Sequence, residues 1–246
     1  KVLALDYPLF NPSLATFYRL SSIDGFETTA MLTPSQAAWT VPAEMTTEQV
    51  AIDYLMLGME HIIGGLDHLL FVLGLLVIAR TTRRILFTIT GFTLAHSITL
   101  SLSALGFVHI PVVPVEAVIA LSIVFLACEI SRGDLQSLTY RFPLIVSFGF
   151  GLLHGLGFAS ALGEIGLVRN EVLISLLFFN LGVEAGQIFF ILGVILLVLA
   201  MQKLFRSTVT YSASGIMTRR VDLLASYVIG IPASYWLIDR VSLFLF

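Results

Sequence analysis

Two imidazoles and two carboxylates lie close together in one strongly apolar segment. The run reads Glu60-His61-Ile62-Ile63-Gly64-Gly65-Leu66-Asp67-His68. Residues seven apart nearly superimpose on a helix, so His61 and His68 form one stripe. Glu60 and Asp67 form the neighbouring stripe, and Gly64 leaves room between the two. Ionisable groups cost about 2.5–3.5 kcal/mol each at mid-bilayer, so the spacing predicts an ion site more readily than simple helix packing.

Other apolar segments contribute further candidate ligands, which are His96, Glu116, His154 and Glu184. Glu184 shares a helix face with Asn180 and Gln187, and both amides could be interhelical packing groups. Glycines on both sides of His154 permit close helix packing. Two simpler roles stay open at this point, since Glu116 could cap a first helical turn and His96 alone could be a packing residue.

Counting from the basic end of each segment places these groups at matching heights. At a rise of ~1.5 Å per residue, His68, His96 and His154 lie at ~18–20 Å. Glu116 lies at ~24 Å, and His61 and Glu184 lie at ~28 Å. We therefore expect a ladder of polar groups inside the membrane. It leads from an outer vestibule of His61, Glu116 and Glu184 to a mid-membrane site of Asp67, His68, His96 and His154.

The types of ligand favour borderline divalent metals. Imidazole with carboxylate and no thiolate suits Ni²⁺, Co²⁺ or Zn²⁺. The methionines form no cluster with the histidines, which argues against copper(I). Hard cations prefer sites made only of oxygen. Neutral histidines also accept protons, so a proton-coupled path is a further use of the same groups.

The composition requires that most of the chain lies in lipid. The 246 residues are 57% hydrophobic and 12% charged, whereas soluble domains carry about 25% charge. The mean hydropathy is +0.97. A net charge of −3 without a basic block argues against a nucleic-acid partner. Cys128 is the single cysteine, which excludes an internal disulfide framework.

The apolar runs predict an all-α polytopic membrane protein with about six transmembrane helices in residues 46–246. The expected spans are 52–79, 85–107, 113–130, 142–163, 171–201 and 221–238. Residues 1–45 instead contain short runs rich in β-branched and aromatic residues, with a hairpin signal at Asp24-Gly25. We expect them to form a short extracytoplasmic β segment, the C-terminal part of a β domain, with a linker from Pro34 to Pro42.

Lysine and arginine predict the orientation of the bundle. Nine basic residues lie in the connections on one side, and four lie on the other. Because basic loops stay in the cytoplasm, both termini should be extracytoplasmic. We expect a multi-pass protein of a bacterial inner membrane, in contact with the lipid bilayer.

The segment from His61 to His68, followed by Leu69-Leu70-Phe71, resembles the H-P-x-x-G-x-D-H signature of the HupE/UreJ family. Ile62 stands where the signature has proline. The larger branch of this family, which has an extracytoplasmic β domain, is similar in FTLAHSITL, PVEAVIALSIV, FGFGLLHGLGFA and FNLGVEAGQ. Members are nickel or cobalt permeases and hydrogenase or urease accessory proteins. The resemblance implies metal ligation by His61, Asp67, His68, Glu116 and His154.

The leading hypothesis is a protein that binds and moves a divalent transition metal, with Ni²⁺ or Co²⁺ as substrate, and that is a transporter or accessory protein rather than an enzyme. One alternative is an intramembrane hydrolase in which the histidines, Asp67 and Ser97 hold Zn²⁺ and an activated water. Another is a structural or assembly subunit of a larger complex, with the polar groups joining helices. A membrane or periplasmic protein partner is left open.

Overall fold

Eight helices form the described part of the membrane region. The computed structural model describes residues 2–4, 16–21, 27–32, 38–40, 46–165, 172–205 and 219–245. The helices are α1 (Thr47–Gly64), α2 (Leu66–Ala79), α3 (Thr82–Ala104), α4 (Val112–Arg132), α5 (Leu138–Arg141), α6 (Pro143–Ile165), α7 (Val172–Phe205) and α8 (Arg219–Leu245). Side chains are described only to Gly157 in α6.

The prediction of an all-α polytopic membrane protein is confirmed. Helices α3, α4, α7 and α8 are long and apolar enough to cross a bilayer, and α1 with α2 forms a bent pair that qualifies together. Pro143–Gly157 of α6 is a shorter apolar helix. Many large apolar side chains are exposed on the outside of the bundle, and Leu173 is 77% exposed. Such a surface suits lipid and not water.

The first predicted span is not one continuous helix, and the prediction of a single helix over 52–79 is wrong. A capping box between Thr46 and Gln49 starts α1. The chain then bends by 76° between α1 and α2. Gly65 sits at the bend, where its N–H bonds the His61 carbonyl and its own carbonyl accepts from Leu69 N–H. The break occurs although Ile62 occupies the proline position of the signature.

The two stripes expected on one helix therefore do not form. The bend places the His61 and His68 rings edge to face, with centroids 4.5 Å apart. A Cβ atom on Gly65 would lie 2.8 Å from both the His61 carbonyl oxygen and His68 Nδ1. Glycine is thus required here by the close approach of an imidazole to the backbone.

Helix α2 is the central element of the bundle. It contacts every other helix of the described chain, and it buries His68, Phe71, Val72 and Leu75 among others. Its short length and near-continuous apolar sequence suit a helix surrounded by protein. His68, in the first turn of α2, is consequently placed inside the bundle.

Three helix pairs surround α2, namely α3 with α6, α1 with α7 and α4 with α8. The small-xxx-small pair Gly151 and Gly155 explains the first pair. A Cβ on Gly151 would clash with the Phe92 carbonyl, and one on Gly155 would clash with the His96 carbonyl. The backbones of α3 and α6 therefore approach closely at the level of His96 and His154.

Four short strands are described before the helices. They are β1 (Val2–Ala4), β2 (Thr16–Ser21), β3 (Glu27–Leu32) and β4 (Ala38–Thr40). β2 pairs antiparallel with β3, and β1 pairs antiparallel with β4. β4 lies within residues 34–42, where a linker was expected. The Asp24-Gly25 hairpin signal lies outside the described residues, between β2 and β3 in the sequence.

Candidate metal centre

His68 lies at the centre of a cluster of four histidines. The side chain projects from the first turn of α2 and is 7% exposed. Its ring centroid is 4.5 Å from that of His61, 5.3 Å from His154 and 6.4 Å from His96. These residues come from α1, α2, α3 and α6, so the cluster exists only in the folded bundle.

Asp67 sets the tautomer of His68. His68 Nδ1 lies 3.0 Å from Asp67 Oδ1. A carboxylate accepts hydrogen bonds, so Nδ1 carries the proton and Nε2 keeps its lone pair. Within the described chain, His68 Nε2 is buried and has no hydrogen-bond partner. A metal-ligating histidine has this arrangement, with one nitrogen oriented by an acceptor and the other available.

Asn180 has the same effect on His96. The Asn180 amide donates from Nδ2 to the Leu176 carbonyl at 2.7 Å, which fixes its oxygen toward the histidine. Asn180 Oδ1 lies 3.3 Å from His96 Nδ1 and can only accept there. The proton of His96 is therefore on Nδ1. Nε2 of this fully buried ring has no partner among the residues described.

Ser122 orients His154 in the opposite tautomer. The Ser122 hydroxyl donates its single proton to the Ile119 carbonyl at 2.7 Å. Its oxygen lies 3.3 Å from His154 Nε2 and can act there only as an acceptor. Nε2 consequently carries the proton, and Nδ1 keeps its lone pair. His154 Nδ1 is buried without a partner in the part of the chain that the structure covers.

These side chains form two overlapping groups that could hold a metal ion. One group consists of His61, His68 and His96, and the other consists of Asp67, His68 and His154. Within each group the candidate ligand atoms lie within 4.8 Å of one another. An ion bound at about 2.1 Å from each nitrogen would draw them closer together. His68 belongs to both groups.

Aromatic side chains form the apolar wall of the cluster. The His154 ring centroid is 4.8 Å from that of Phe71 and 5.2 Å from that of Phe92. Phe92 also stacks on His96 at 6.0 Å, and Phe179 lies 5.5 Å from His61. An apolar wall limits access of water and strengthens the interaction of an ion with its ligands.

Glu116 lies apart from the two groups. It pairs with Arg240 near the end of α8, and both residues line a cavity of about 310 Å³. Asp67 and Gly65 line the same cavity, so it extends from Glu116 to the edge of the histidine cluster. Glu116 is thus near a path to the cluster and not within ligand distance of it.

Glu184 also lies outside both groups. Its Oε1 accepts a hydrogen bond from Thr90 Oγ1 at 2.6 Å. Thr90 precedes His96 on the Arg84 side of α3, so Glu184 lies nearer the basic end of the bundle than its expected height of ~28 Å. The count began at Lys203, but α7 has 34 residues and extends for about 51 Å. The Lys203 end of α7 therefore extends beyond the basic ends of the neighbouring helices.

The structure thus brings together five of the seven candidate ligands, namely His61, Asp67, His68, His96 and His154. Sequence reasoning missed the role of Ser122, a hydroxyl in an apolar helix with no marked neighbour. It also used Arg240 only to predict orientation. Asn180 was predicted to be a packing group. Its position on the same helix face as Glu184 was the signal that could have indicated its role as the partner of His96.

The chain matches the model of a known protein family. The family model described as HupE / UreJ protein matches residues 35–240, which is most of the chain. The matched region includes every member of the histidine cluster. No curated protein and no solved structure matches significantly.

Proposed function

The chain belongs to the HupE/UreJ family, and from this premise we propose that it binds a divalent transition metal and moves it across a bacterial inner membrane. The substrate is Ni²⁺ or Co²⁺, because the cluster combines neutral imidazoles with one carboxylate and contains no thiolate. The proposed ligands are His61, Asp67, His68, His96 and His154.

One observation carries this proposal. His68, His96 and His154 each have one ring nitrogen hydrogen-bonded to an acceptor. The other nitrogen of each is buried and lacks a partner among the described residues. A buried polar atom without a partner costs about 1–3 kcal/mol. Three such atoms from three helices are better explained by an ion that binds them than by helix packing.

The overlap of the two groups suggests how an ion moves. An ion held by Asp67, His68 and His154 can release Asp67 and His154 and bind His61 and His96 instead. His68 stays bound throughout. Such an exchange avoids complete release into an apolar interior, where an unligated ion would be very costly. Asp67 is 36% exposed, so the group that contains it is the more accessible of the two.

The test measures metal binding and flux for His68→Ala. We expect this variant to lose at least tenfold in Ni²⁺ or Co²⁺ affinity, and to lose flux in sealed vesicles, because His68 belongs to both groups. His109→Ala is the matched control, since His109 is exposed in the connection between α3 and α4. The control should bind and transport metal as the unmodified protein does.

The opposite results are also informative. Unchanged flux in both His68→Ala and Asp67→Ala would contradict the proposal. Purified protein that copurifies with other subunits, carries no metal and takes none up would indicate that the cluster only joins helices.

A further inference from the structure

A cavity leads from the bundle surface to the histidine cluster. Its volume is about 310 Å³, and its walls come from the α1–α2 break, the first turns of α4 and the last turns of α8. Asp67 is one of its lining residues and also bonds His68. Because Asp67 contacts both the cavity and the cluster, an ion that reaches this carboxylate through the cavity has reached the proposed site.

An ion pair forms part of the cavity lining. Arg240 Nε lies 3.0 Å from Glu116 Oε2, and the two side chains are 36% and 39% exposed. Arg240 also has a contact at 3.3 Å with Asp239. A pair this exposed contributes little to stability, so it can open at small cost. The ionisable groups that line the cavity in the described chain are Asp67, Glu116 and Arg240.

We propose that the Glu116–Arg240 pair is a gate to the metal site, at which an incoming divalent cation takes the Glu116 carboxylate from the Arg240 guanidinium before it moves to Asp67. This inference rests on the proposed function. The guanidinium contacts one of the two Glu116 oxygens that a cation could bind, and it repels a cation in the cavity. Arg240 is here a positioning residue, and Glu116 is a transient ligand.

The gate predicts effects of opposite sign for its two members. Arg240→Gln removes the repelling charge and frees Glu116, so metal should enter faster by about threefold to tenfold, a range that allows for screening of a half-exposed charge. Glu116→Gln leaves Arg240 unpaired beside the path, so metal should enter more slowly by a similar factor. A purely structural ion pair would instead give both variants the same direction of change.

The experiment follows Co²⁺ binding to the full chain in detergent by stopped flow. The visible absorption that Co²⁺ gains on binding nitrogen ligands reports arrival at the histidines. The rate constants are compared at low and moderate salt for Arg240→Gln, Glu116→Gln and the double variant. The double variant should return toward the unmodified rate, and the differences should shrink as salt increases.

Two control variants separate charge from local damage. Arg240→Lys keeps the positive charge and should bind Co²⁺ at nearly the unmodified rate. Arg84→Gln removes an exposed charge from the start of α3, away from the cavity lining, and should leave the rate unchanged.

The outcomes distinguish this inference from the proposed function. The gate alone is overturned by the following result. The absorption band forms in the unmodified protein and disappears in His68→Ala, but it grows at unchanged or equally slowed rates in both gate variants. No band in the unmodified protein, or a band that persists in His68→Ala, overturns the proposed function and the gate with it.

Discussion

Each buried imidazole of the cluster has a partner that decides which nitrogen can bind an ion. The partners differ chemically, since a carboxylate serves His68, an amide oxygen serves His96 and a hydroxyl oxygen serves His154. All three act as acceptors, and each leaves one lone pair without a partner among the described residues. The proposed metal affinity therefore depends in part on Asn180 and Ser122, which are not among the proposed ligands.

Ser122→Ala tests this dependence. The change removes the acceptor for His154 Nε2–H, so the ring is no longer held in the tautomer that offers Nδ1. We expect metal affinity to fall by about tenfold, as is typical when the partner of a ligating histidine is lost. Titration with Co²⁺ measures the affinity.

Ser226→Ala is the matched control, because Ser226 is also a buried serine that bonds a carbonyl of its own helix, that of Leu223. It should bind Co²⁺ as the unmodified protein does. Equal affinity in the Ser122 and Ser226 variants would show that the Ser122 hydroxyl does not influence the site.

The break between α1 and α2 is the element that builds the cluster. A continuous helix would place His61 and His68 two turns apart along one face, about 10 Å from each other. The bend at Gly65 brings their rings to 4.5 Å and directs α2 into the centre of the bundle. Close packing of α3 on α6 then supplies the other two imidazoles.

Gly65→Ala should damage the site and the fold together. The new Cβ would lie 2.8 Å from His68 Nδ1 and from the His61 carbonyl, so one of them must move. We expect a loss of roughly 1–3 kcal/mol in stability, as for other overpacked sites, and weaker Co²⁺ binding. Thermal unfolding in detergent and Co²⁺ titration measure the two effects.

Gly64→Ala supplies the comparison one residue earlier. A Cβ at Gly64 meets nothing within 4 Å, and alanine favours the helix in which this residue lies. This variant should unfold at the same temperature or slightly higher and should bind Co²⁺ normally. If both variants behaved alike, close approach at Gly65 would not explain the need for glycine.

Across the whole molecule, two ion pairs hold α8 near its opposite ends. Asp222 in its first turn pairs with Arg80 at the end of α2, at 3.4 Å. Arg240 in its last turns pairs with Glu116 in the first turns of α4. The first pair is buried and the second is half-exposed, so the second should open more easily. This difference agrees with a gate at the Arg240 end.

The orientation of the whole molecule is a further prediction. If the bent pair is one span and α6 is another, we expect the chain to cross the membrane an even number of times, which would place both termini on one side. The basic connections, such as that between α2 and α3, are expected in the cytoplasm. An alkaline phosphatase fused after Phe246 should be active, and the same enzyme fused after Gly133 should be inactive. Activity of only the Gly133 fusion would reverse the orientation.

The amino-acid sequence was enough to predict the class of the protein and most of its candidate ligands. Long apolar runs predict membrane helices because, in lipid, the backbone N–H and C=O groups must be hydrogen-bonded within the protein. Ionisable groups stand out in such runs because each one is costly there. Local patterns also predicted close helix packing at Gly151 and Gly155, and the structure identifies α3 as the helix that packs there.

How these residues meet could be seen only in the folded bundle. Helical periodicity describes one helix at a time, so it could not show that Gly65 interrupts the first span or that α2 becomes the central element. Height counted along each helix ignores how far a helix extends beyond its neighbours, and this misplaced Glu184. The partners of the histidines, such as Ser122 and Asn180, lie on other helices. Their hydrogen bonds depend on angles and distances between helices, which no pattern within a single segment contains.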